Sequence, residues 1–311
     1  MNFQQLRYVR EAVRRNLNLT EVANVLHTSQ SGVSKQIKDL EDELGIDIFV
    51  RRGKRLTALT EPGTGVLHLV ERILHDTESL RRAASHYASQ DEGRLVLATT
   101  HTQARYALPR VLPEFCARYP KVNLALRQGS PRQVAEMVLS GEADVGIATE
   151  ALNTYVDLTT FQSYSWKHVV AVRHDHPLAS APSVGLEQLS AYPLITYDKD
   201  FSGRSHIDAA FEAAGLTPDI VMTAMDADVI KTYVELGLGV GILAAMAVDA
   251  ARDQQLVVLN TDGMFEANTT RLAVRTGNFL RHYACDLIQM LAPGLTEASI
   301  RARVAGEASE S

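Results

Sequence analysis

The first sixty residues contain three stretches in which apolar side chains recur every three or four positions, the period of an amphipathic helix. The three stripes are Phe3, Leu6, Val9 and Val13; Val22, Val25 and Leu26; and Val33, Ile37, Leu40 and Leu44. Thr20 and Ser29 can accept hydrogen bonds from free backbone amides, so we expect them to cap the second and third helices. Gly45 marks the expected end of the third helix.

Two short runs with β-like composition, IFVRR and RLTAL, follow around Gly53. They predict a hairpin, and helices followed by a hairpin with a basic tip are typical of a winged helix-turn-helix. Polar side chains at the start of the third helix would contact base edges, and basic side chains on the wing would contact phosphates. The candidate DNA-binding residues are Thr28, Ser29, Gln30, Ser31, Ser34, Lys35, Lys38, Arg51, Arg52, Lys54 and Arg55.

A long helix is predicted to start near Thr60, with Pro62 tolerated in its first turn. Its apolar positions step by four and three residues, which is the heptad pattern of a two-stranded helix seam. The seam positions are Val66, Val70, Ile73, Thr77, Leu80, Ala84 and Tyr87. Because one such helix alone is marginal, we expect it to dimerise with the same helix of a second chain. The alternative is that the stripe packs only within its own chain.

After the polar stretch that ends at Gly93, short apolar strands alternate with helices, which predicts an α/β domain with parallel sheets. The expected strands are RLVLATT, NLALRQ, ADVGIAT, HVVAVR, PLITY, IVMTA and GVGILA. The expected helices lie near residues 105–118, 131–140, 204–214, 227–236 and 279–291. From about Ala298 onward we expect a frayed tail.

The charge is distributed unevenly along the chain. The net charge is −6, yet the residues up to Thr60 include ten basic and seven acidic side chains, which is +3 and leaves −9 for the remainder. A basic N-terminal segment followed by an acidic remainder indicates that only the N-terminal segment binds nucleic acid. We find neither the pattern of a secretory signal nor a run of about 18 uncharged apolar residues, so we expect a cytoplasmic protein without a membrane partner. Cys116 and Cys285 are expected to be reduced and packed in apolar surroundings.

Three patterns resemble cofactor or catalytic sites, but their context does not fit. The GLGVG sequence at 237–241 follows a predicted helix and precedes a strand, the reverse of the order in a dinucleotide loop. The HDH sequence at 174–176 offers metal ligands, but the following proline favours a surface turn. Ser202, His206 and Asp208 are triad residue types at a spacing that does not align them. We therefore predict no catalytic residues, no metal and no cofactor.

The segment TSQSGVSKQIKDLEDELGIDIFVRRGKRLTALTEPG resembles the winged helix-turn-helix of LysR-type transcriptional regulators. Other segments resemble the CysB/Cbl branch of this family, which controls sulfur assimilation. They are ATTHTQARYALP, QGSP, ATEAL, GRSHIDAAF, DADVIKTYVELGLGVGI and FLRHYACDLIQ. The resemblance covers the chain up to about Ala298. It implies a DNA-binding domain at 1–59, a linker and dimerisation helix at 60–89 and an effector-binding domain at 93–311.

The resemblance implies a periplasmic-binding-protein-like effector domain with an anion in the cleft between two α/β lobes. Lobe I would comprise about 93–163 and 266–297, and lobe II about 164–265. The sequence supports an anion site independently, because THTQ directly follows a strand and opens a helix, and helix N-termini favour anions. The residues implied to hold the anion are Thr100, Thr102, Gln103, Thr149 and Ser202.

Two further positions of the effector domain carry specific expectations. The branch typically has threonine where this chain has Ser202, so that contact keeps its hydroxyl donor and loses a methyl group. Trp166, the only tryptophan, is expected near the crossover between the lobes. It either takes part in effector binding or simply packs the hinge, and the sequence favours neither reading.

Together these features predict a LysR-type DNA-binding regulator of sulfur genes, in cysteine biosynthesis or in sulfate or sulfonate utilisation. The implied effector is sulfate, thiosulfate, adenosine phosphosulfate or an acetylserine. The implied partners are double-stranded promoter DNA, further copies in a homodimer or homotetramer, and RNA polymerase. The alternatives are a LysR-type regulator of another pathway, a small-anion binding or transport protein, and a cytosolic enzyme. The absence of a signal pattern disfavours transport, and no catalytic constellation supports an enzyme.

Overall fold

The computed structural model describes residues 1–53, 55–88, 91–181, 183–201, 203–261 and 263–307, with the backbone alone described for 81–83 and 85–88. The chain divides into two compact units, Met1–Tyr87 and Ala88–Ser311. The elements of the first unit are α1 Phe3–Arg14, α2 Leu19–Val25, α3 Gln30–Leu44, β1 Phe49–Arg52, β2 Arg55–Leu59 and α4 Glu61–Ala88.

The apolar stripes of α1, α2 and α3 meet in a single core, as their helical spacing predicts,. Leu6, Val22 and Ile37 are representative members, each buried on a different helix. Phe3, Val25 and Leu44 do not follow the prediction, because all three are exposed. Each is the first or last residue of its helix, where the chain turns away from the core.

Helix caps explain where the second and third helices begin and end. Ser29 caps α3 and Gly45 ends it with a left-handed φ of 70°, both as expected. The expectation that Thr20 caps α2 was wrong. Asn18 is the cap, and its side chain accepts hydrogen bonds from the amides of Thr20 and Glu21. Both residues are good caps, and the fold selects the one that lies at the turn.

Strands β1 and β2 pair antiparallel as the predicted wing. The base of the wing is tied to α3 by Glu41, which is 1% exposed. Its Oε1 accepts hydrogen bonds from the amides of Ile48 at 2.9 Å and Phe49 at 3.1 Å. Its Oε2 accepts a hydrogen bond from Arg51 at 2.9 Å. A buried carboxylate therefore sets the position of the wing relative to the recognition helix.

Helix α4 uses three of its seven predicted seam positions against its own unit. Val70 and Leu74 are buried in the core of the first unit, and Val66 and Ile73 pack against it. The interpretation as an inter-chain seam position was therefore wrong for Val70, whereas Val66 and Ile73 are only partly buried and stay predicted seam positions. Leu80 is 71% exposed and stays available to a second chain, and the Tyr87 side chain lies outside the described part of the chain.

The second unit contains two five-stranded sheets flanked by helices. Its strands are β3 Glu92–Thr99, β4 Lys121–Gln128, β5 Val145–Thr149, β6 Leu158–Trp166, β7 His168–Arg173, β8 Leu194–Tyr197, β9 Ile220–Ala224, β10 Val240–Ala244, β11 Leu256–Leu259 and β12 Asn268–Arg275. Its α-helices are α5 Leu112–Arg118, α6 Pro131–Leu139, α7 Leu186–Leu189, α8 Arg204–Ala213, α9 Ala227–Glu235, α10 His282–Leu291 and α11 Glu297–Val304.

The strand order is β4-β3-β5-β12-β6 in lobe I and β11-β7-β10-β8-β9 in lobe II. The expectation of parallel sheets was wrong, because both sheets are mixed. In lobe I, β12 pairs antiparallel with β5 and β6, and in lobe II, β7 pairs antiparallel with β10 and β11. The sequence pattern missed β6, β11 and β12. These strands lie at or beside sheet edges or carry many hydroxyl side chains, so their apolar alternation is weak.

The chain crosses between the lobes at Lys167 and returns between β11 and β12. Since β6 runs to Trp166, lobe I continues three residues beyond the expected 163. The predicted helix at 105–118 is broken into a π-helical turn at Gln103–Ala107, a 3₁₀ turn at Leu108–Arg110 and α5. Pro109 and Pro113 account for the interruption, because proline has no amide hydrogen to donate.

The C-terminal segment and the cysteines correct two further expectations. The tail predicted from Ala298 is instead helix α11, which buries Ile300 and Val304 in the lobe I core. Both cysteines are free, as expected, but only Cys285 is buried, whereas Cys116 is exposed. Burial raises the pKa of Cys285 to about 11. No helix in the described residues is both long and apolar enough to cross a membrane.

Candidate functional site

The first unit presents a polar recognition surface on α3. Thr28, Ser29, Gln30 and Ser31 are exposed at its N-terminal end, together with Lys35 one turn further on. Ser34 is half-buried between them. This is the part of a recognition helix that reaches base edges in the major groove.

The basic side chains differ in how free they are to meet phosphates. Arg52 and Arg55 are exposed on the wing, and they form no ion pair among the described residues. Arg51 is half-buried and bonded to Glu41, so it organises the wing and does not project from it. Lys38 pairs with Asp42 at 3.0 Å, and this carboxylate raises the pKa of Lys38. Lys54 lies outside the described residues.

In the second unit, the predicted anion residues lie together at one edge of the lobe I sheet. Strand β3 ends at Thr99, and the THTQ segment turns from it into a helix. Thr149 is the last residue of the neighbouring strand β5. Thr100, Thr102, Gln103 and Thr149 are all buried. Ser202, the residue expected to complete the site from lobe II, lies outside the described residues.

The four buried side chains are not equivalent as ligands. Within the described part of the chain, the hydroxyls of Thr100 and Thr149 form no hydrogen bond. Thr102 instead bonds to the Tyr197 hydroxyl across the cleft. The Gln103 carboxamide is also engaged, because it accepts a hydrogen bond from Tyr164 and donates one to Thr270 at 3.2 Å. Thr100 and Thr149 are therefore the best candidates for side-chain contacts with an anion.

Sequence reasoning missed several residues of the cleft wall. Tyr197, at the end of β8, is fully buried, and its hydroxyl accepts a hydrogen bond from the Ala244 amide at 3.0 Å. Its burial raises its pKa. Thr270 of β12 lies opposite Thr149 in the sheet register. No local motif marks these residues, although Tyr197, like Thr149, ends a strand that points at the cleft.

Hydrogen bonds and an ion pair join the two lobes at two places near the candidate anion residues. On one side, the Tyr106 hydroxyl of lobe I donates to Asp228 of α9 at 2.7 Å, and Arg105 pairs with the same carboxylate at 2.6 Å. On the other side, Glu150 of lobe I meets His206 of α8 at 2.8 Å. Two polar bridges therefore connect the lobes, one from the segment that follows Gln103 and one from the residue that follows Thr149.

A cavity of about 450 Å³ opens from the cleft beside Thr149 and Glu150. Its wall includes Arg132 from lobe I and Lys199 from lobe II. Lys199 forms no ion pair with any residue that the structure describes. The cavity thus has room for a small effector, and its charged wall is mixed, because Glu150 and Asp200 line it together with Arg132 and Lys199.

Trp166 lies at the end of β6, where the chain leaves lobe I, and its indole packs edge-on against His168 at 5.1 Å between ring centroids. Its indole N–H is buried without a hydrogen-bond partner in the described residues. Trp166 lines a second cavity, of about 440 Å³, with Tyr106, Arg110 and Met246. Trp166 therefore packs at the crossover between the lobes and lines a different cavity from the one beside Thr149, and its part in effector binding stays a prediction.

Among the described residues of the second unit, one polar cluster has the spacing of metal ligands. The ligand atoms of His101, Asp226 and Asp228 lie within 4.8 Å of one another. However, the Asp228 oxygens already accept hydrogen bonds from Tyr106 and Arg105. The 174–176 segment forms a turn, as expected. His206 faces two carboxylates and is not aligned as a base in a triad,.

A winged helix-turn-helix unit joined to a two-lobed α/β unit with a polar cleft defines a DNA-binding transcriptional regulator that senses a small molecule. The chain belongs to the LysR family. Residues 3–64 match the model "Bacterial regulatory helix-turn-helix protein, lysR family", and residues 88–296 match the "LysR substrate binding domain". Proteins of this family are transcriptional regulators, not enzymes, and they are oligomers that bind promoter DNA and small-molecule effectors.

The chain is 66% identical over 300 residues to the HTH-type transcriptional regulator SsuR of Burkholderia cenocepacia, covering 96% of this chain and 97% of the relative. It is 53% identical over 308 residues to CysB of the same organism, covering 99% and 98%. The solved cofactor-binding domain of the Cbl transcriptional regulator is 43% identical, with a TM-score of 0.66, covering 68% of this chain and 93% of that one. The resemblance inferred from the sequence motifs is confirmed.

Proposed function

We propose that this protein regulates sulfur genes in response to a small sulfur-containing anion bound in the inter-lobe cleft. The similarity to SsuR, CysB and Cbl supports the pathway. One structural observation carries the anion site: Thr100 and Thr149 are buried residues at the ends of adjacent lobe I strands, and their hydroxyls have no hydrogen-bond partner among the described residues. Each of these hydroxyls is therefore available to donate a hydrogen bond to an anion in the cleft.

Neutral donors suit a fully ionised anion. None of the candidate side chains is a lysine or arginine, so hydroxyls and the backbone amides at the start of the THTQ helix would supply the partial positive charge. Sulfate accepts every hydrogen bond offered, whereas protonated phosphate also needs an acceptor. The nearest carboxylate, Glu150, already accepts from His206 and from the Thr269 amide. The site therefore favours sulfate and its esters over phosphate.

Replacing Thr100 or Thr149 with valine should weaken anion binding about 10- to 100-fold, the effect of losing a hydrogen bond to a charged ligand. Valine keeps the shape of threonine and removes only the donor. Calorimetric titration with sulfate, thiosulfate and adenosine phosphosulfate measures the loss. The matched control is Thr223→Val, on the exposed edge strand β9, which should bind as the wild type does. Unchanged affinity in both cleft variants would place the effector elsewhere.

The DNA-reading roles of α3 and the wing separate in a second experiment. Arg52→Ala should weaken binding to all DNA sequences alike and reduce the slope of log affinity against log salt by about one unit. Gln30→Ala should instead lower discrimination at one base pair by about 1–3 kcal/mol. Fluorescence anisotropy with operator and random duplexes, over a range of salt concentrations, measures both effects. Equal losses on both duplexes for Gln30→Ala would contradict the reading role of α3.

The assembly completes the proposal. The exposed Leu80 face of α4 pairs with the same face of a second chain. This pairing places two winged helix-turn-helix units on the half-sites of an interrupted palindrome. A homotetramer would then contact two such sites, and the DNA-bound homotetramer would recruit RNA polymerase. A regulator of another pathway is the second candidate, and failure of all three sulfur anions in the titrations would favour it.

A further inference from the structure

His206 occupies an unusual place beside the candidate anion site. It lies in the first turn of α8 in lobe II, and its side chain is only 17% exposed. Its Nε2 is 2.8 Å from Glu150 Oε1, and its Nδ1 is 3.2 Å from Glu266 Oε2. Glu150 directly follows Thr149 in lobe I, and Glu266 precedes β12 on the segment that returns to lobe I. One imidazole therefore connects lobe II to two carboxylates outside its own sheet.

The hydrogen bonding around this ring fits its charged form. A neutral imidazole has one N–H donor, so one of its nitrogens would face a carboxylate with a lone pair. The imidazolium donates from both nitrogens and satisfies both carboxylates. Glu150 is held firmly, because its other oxygen accepts a hydrogen bond from the Thr269 amide at 2.8 Å. Glu266 is 81% exposed and is free to swing away when the ring loses its proton.

The other charged groups near His206 do not replace this role. On its own helix, Arg204 is buried and bonded to Asp208 at 2.7 Å and to the Tyr197 carbonyl. Lys199 and Asp200 precede the helix and line the same cavity, and Arg132 approaches from α6. Among the described residues, His206 is thus the basic side chain that contacts Glu150.

We propose that His206 is a proton-dependent positioning residue for effector binding. As the imidazolium, it ties α8 of lobe II to lobe I through Glu150 and offsets the negative charge that adjoins Thr149. When the imidazole loses its proton, Glu150 repels an anion in the cleft and the tie between the lobes weakens. Anion affinity therefore falls as the pH rises. This inference rests on the proposed anion site.

Sulfate titrations at pH values from 5.5 to 8.5 test the proposal, because sulfate keeps its double charge throughout and any pH dependence belongs to the protein. Wild-type affinity should fall at least tenfold over this range, because losing one unit charge about 10 Å from a doubly charged anion has at least that effect at an effective dielectric constant near 20. His206→Gln keeps a donor for Glu150 without the charge. It should bind at all pH values as the wild type does at pH 8.5.

Two further experiments separate an effect of the His206 charge from a structural effect of replacing the side chain. Calorimetry near neutral pH in buffers of different ionisation enthalpy should show proton uptake on sulfate binding by the wild type and none by His206→Gln. Glu266→Gln should keep tight binding but move the fall in affinity to lower pH, because the imidazolium has lost one acceptor. The matched control is His174→Gln, at an exposed turn of lobe II, which should titrate as the wild type does. A pH-independent wild type, or a His206→Gln variant with wild-type pH dependence, would overturn the proposal.

Unfolding experiments without ligand test the contact that His206 makes between the lobes, even if the protein binds no sulfate. Denaturant unfolding followed by Trp166 fluorescence reports the second unit, since Trp166 is the only tryptophan. The imidazolium pairs stabilise the fold at low pH and lose that effect as the ring deprotonates. The wild type should therefore be more stable than His206→Gln at pH 6, and the difference should shrink at pH 8.5. A difference independent of pH would overturn the proposal, whereas absent sulfate binding with the expected stability pattern would count against the anion site alone.

Discussion

Replacing Glu41 with alanine should destabilise the first unit by about 3–5 kcal/mol, the cost of removing one partner from a buried ion pair. The change leaves the buried amides of Ile48 and Phe49 and the guanidinium of Arg51 without their acceptor. Each unsatisfied group retains its full desolvation penalty. Because these groups form the base of the wing, DNA binding should be lost together with stability.

Circular dichroism during urea unfolding of the full chain measures this effect as an earlier transition of the first unit. Glu41→Gln keeps one carbonyl acceptor and should lose less stability than Glu41→Ala. The control is Glu43→Ala, also on α3, whose side chain is 52% exposed and pairs only with the N-terminal amine. Its transition should match the wild type within about 0.5 kcal/mol. An equal, small effect of the Glu41 and Glu43 variants would contradict the proposed role of the buried carboxylate.

Replacing Val70 with glutamate should unfold the first unit, with a loss of more than about 4 kcal/mol. Val70 is 2% exposed and lies in the core formed with α1 and α3. A carboxylate at this point would be buried among hydrophobic side chains, so its burial carries a large desolvation cost,. The result should appear at any protein concentration, because the affected contacts lie within one chain. Circular dichroism and operator binding measure it.

Leu80→Glu provides the contrasting variant on the same helix. Leu80 is 71% exposed, so the charge should leave the first unit folded. If this face pairs with a second chain, the two carboxylates would meet across the seam, and sedimentation should show dissociation with a normal unfolding transition. A folded dimer in Leu80→Glu would move the chain–chain contact away from this face. A folded Val70→Glu monomer would instead restore the seam predicted from the heptad pattern.

The sequence by itself determined the parts of this protein that depend on neighbours along the chain. The helical stripes, the cap at Ser29 and the glycine stop at Gly45 predicted α3 and the winged reader. The strands that end at Thr99 and Thr149 were also evident, so the polar residues at the lobe I edge could be named. These signals are local, because helix period, capping and strand alternation involve residues within a few positions of each other.

Only the tertiary structure decided which of several adequate partners each side chain uses. The heptad stripe of α4 fits a second chain or its own core equally well, and packing places Val70 in the core. Thr102 and Gln103 look like free ligands, yet they bond to residues more than sixty positions away, Tyr197 and Tyr164 among them. The bridge between Glu150 and His206 spans 56 positions. No periodicity encodes such contacts, because they arise from how the two lobes pack and not from the order of the residues.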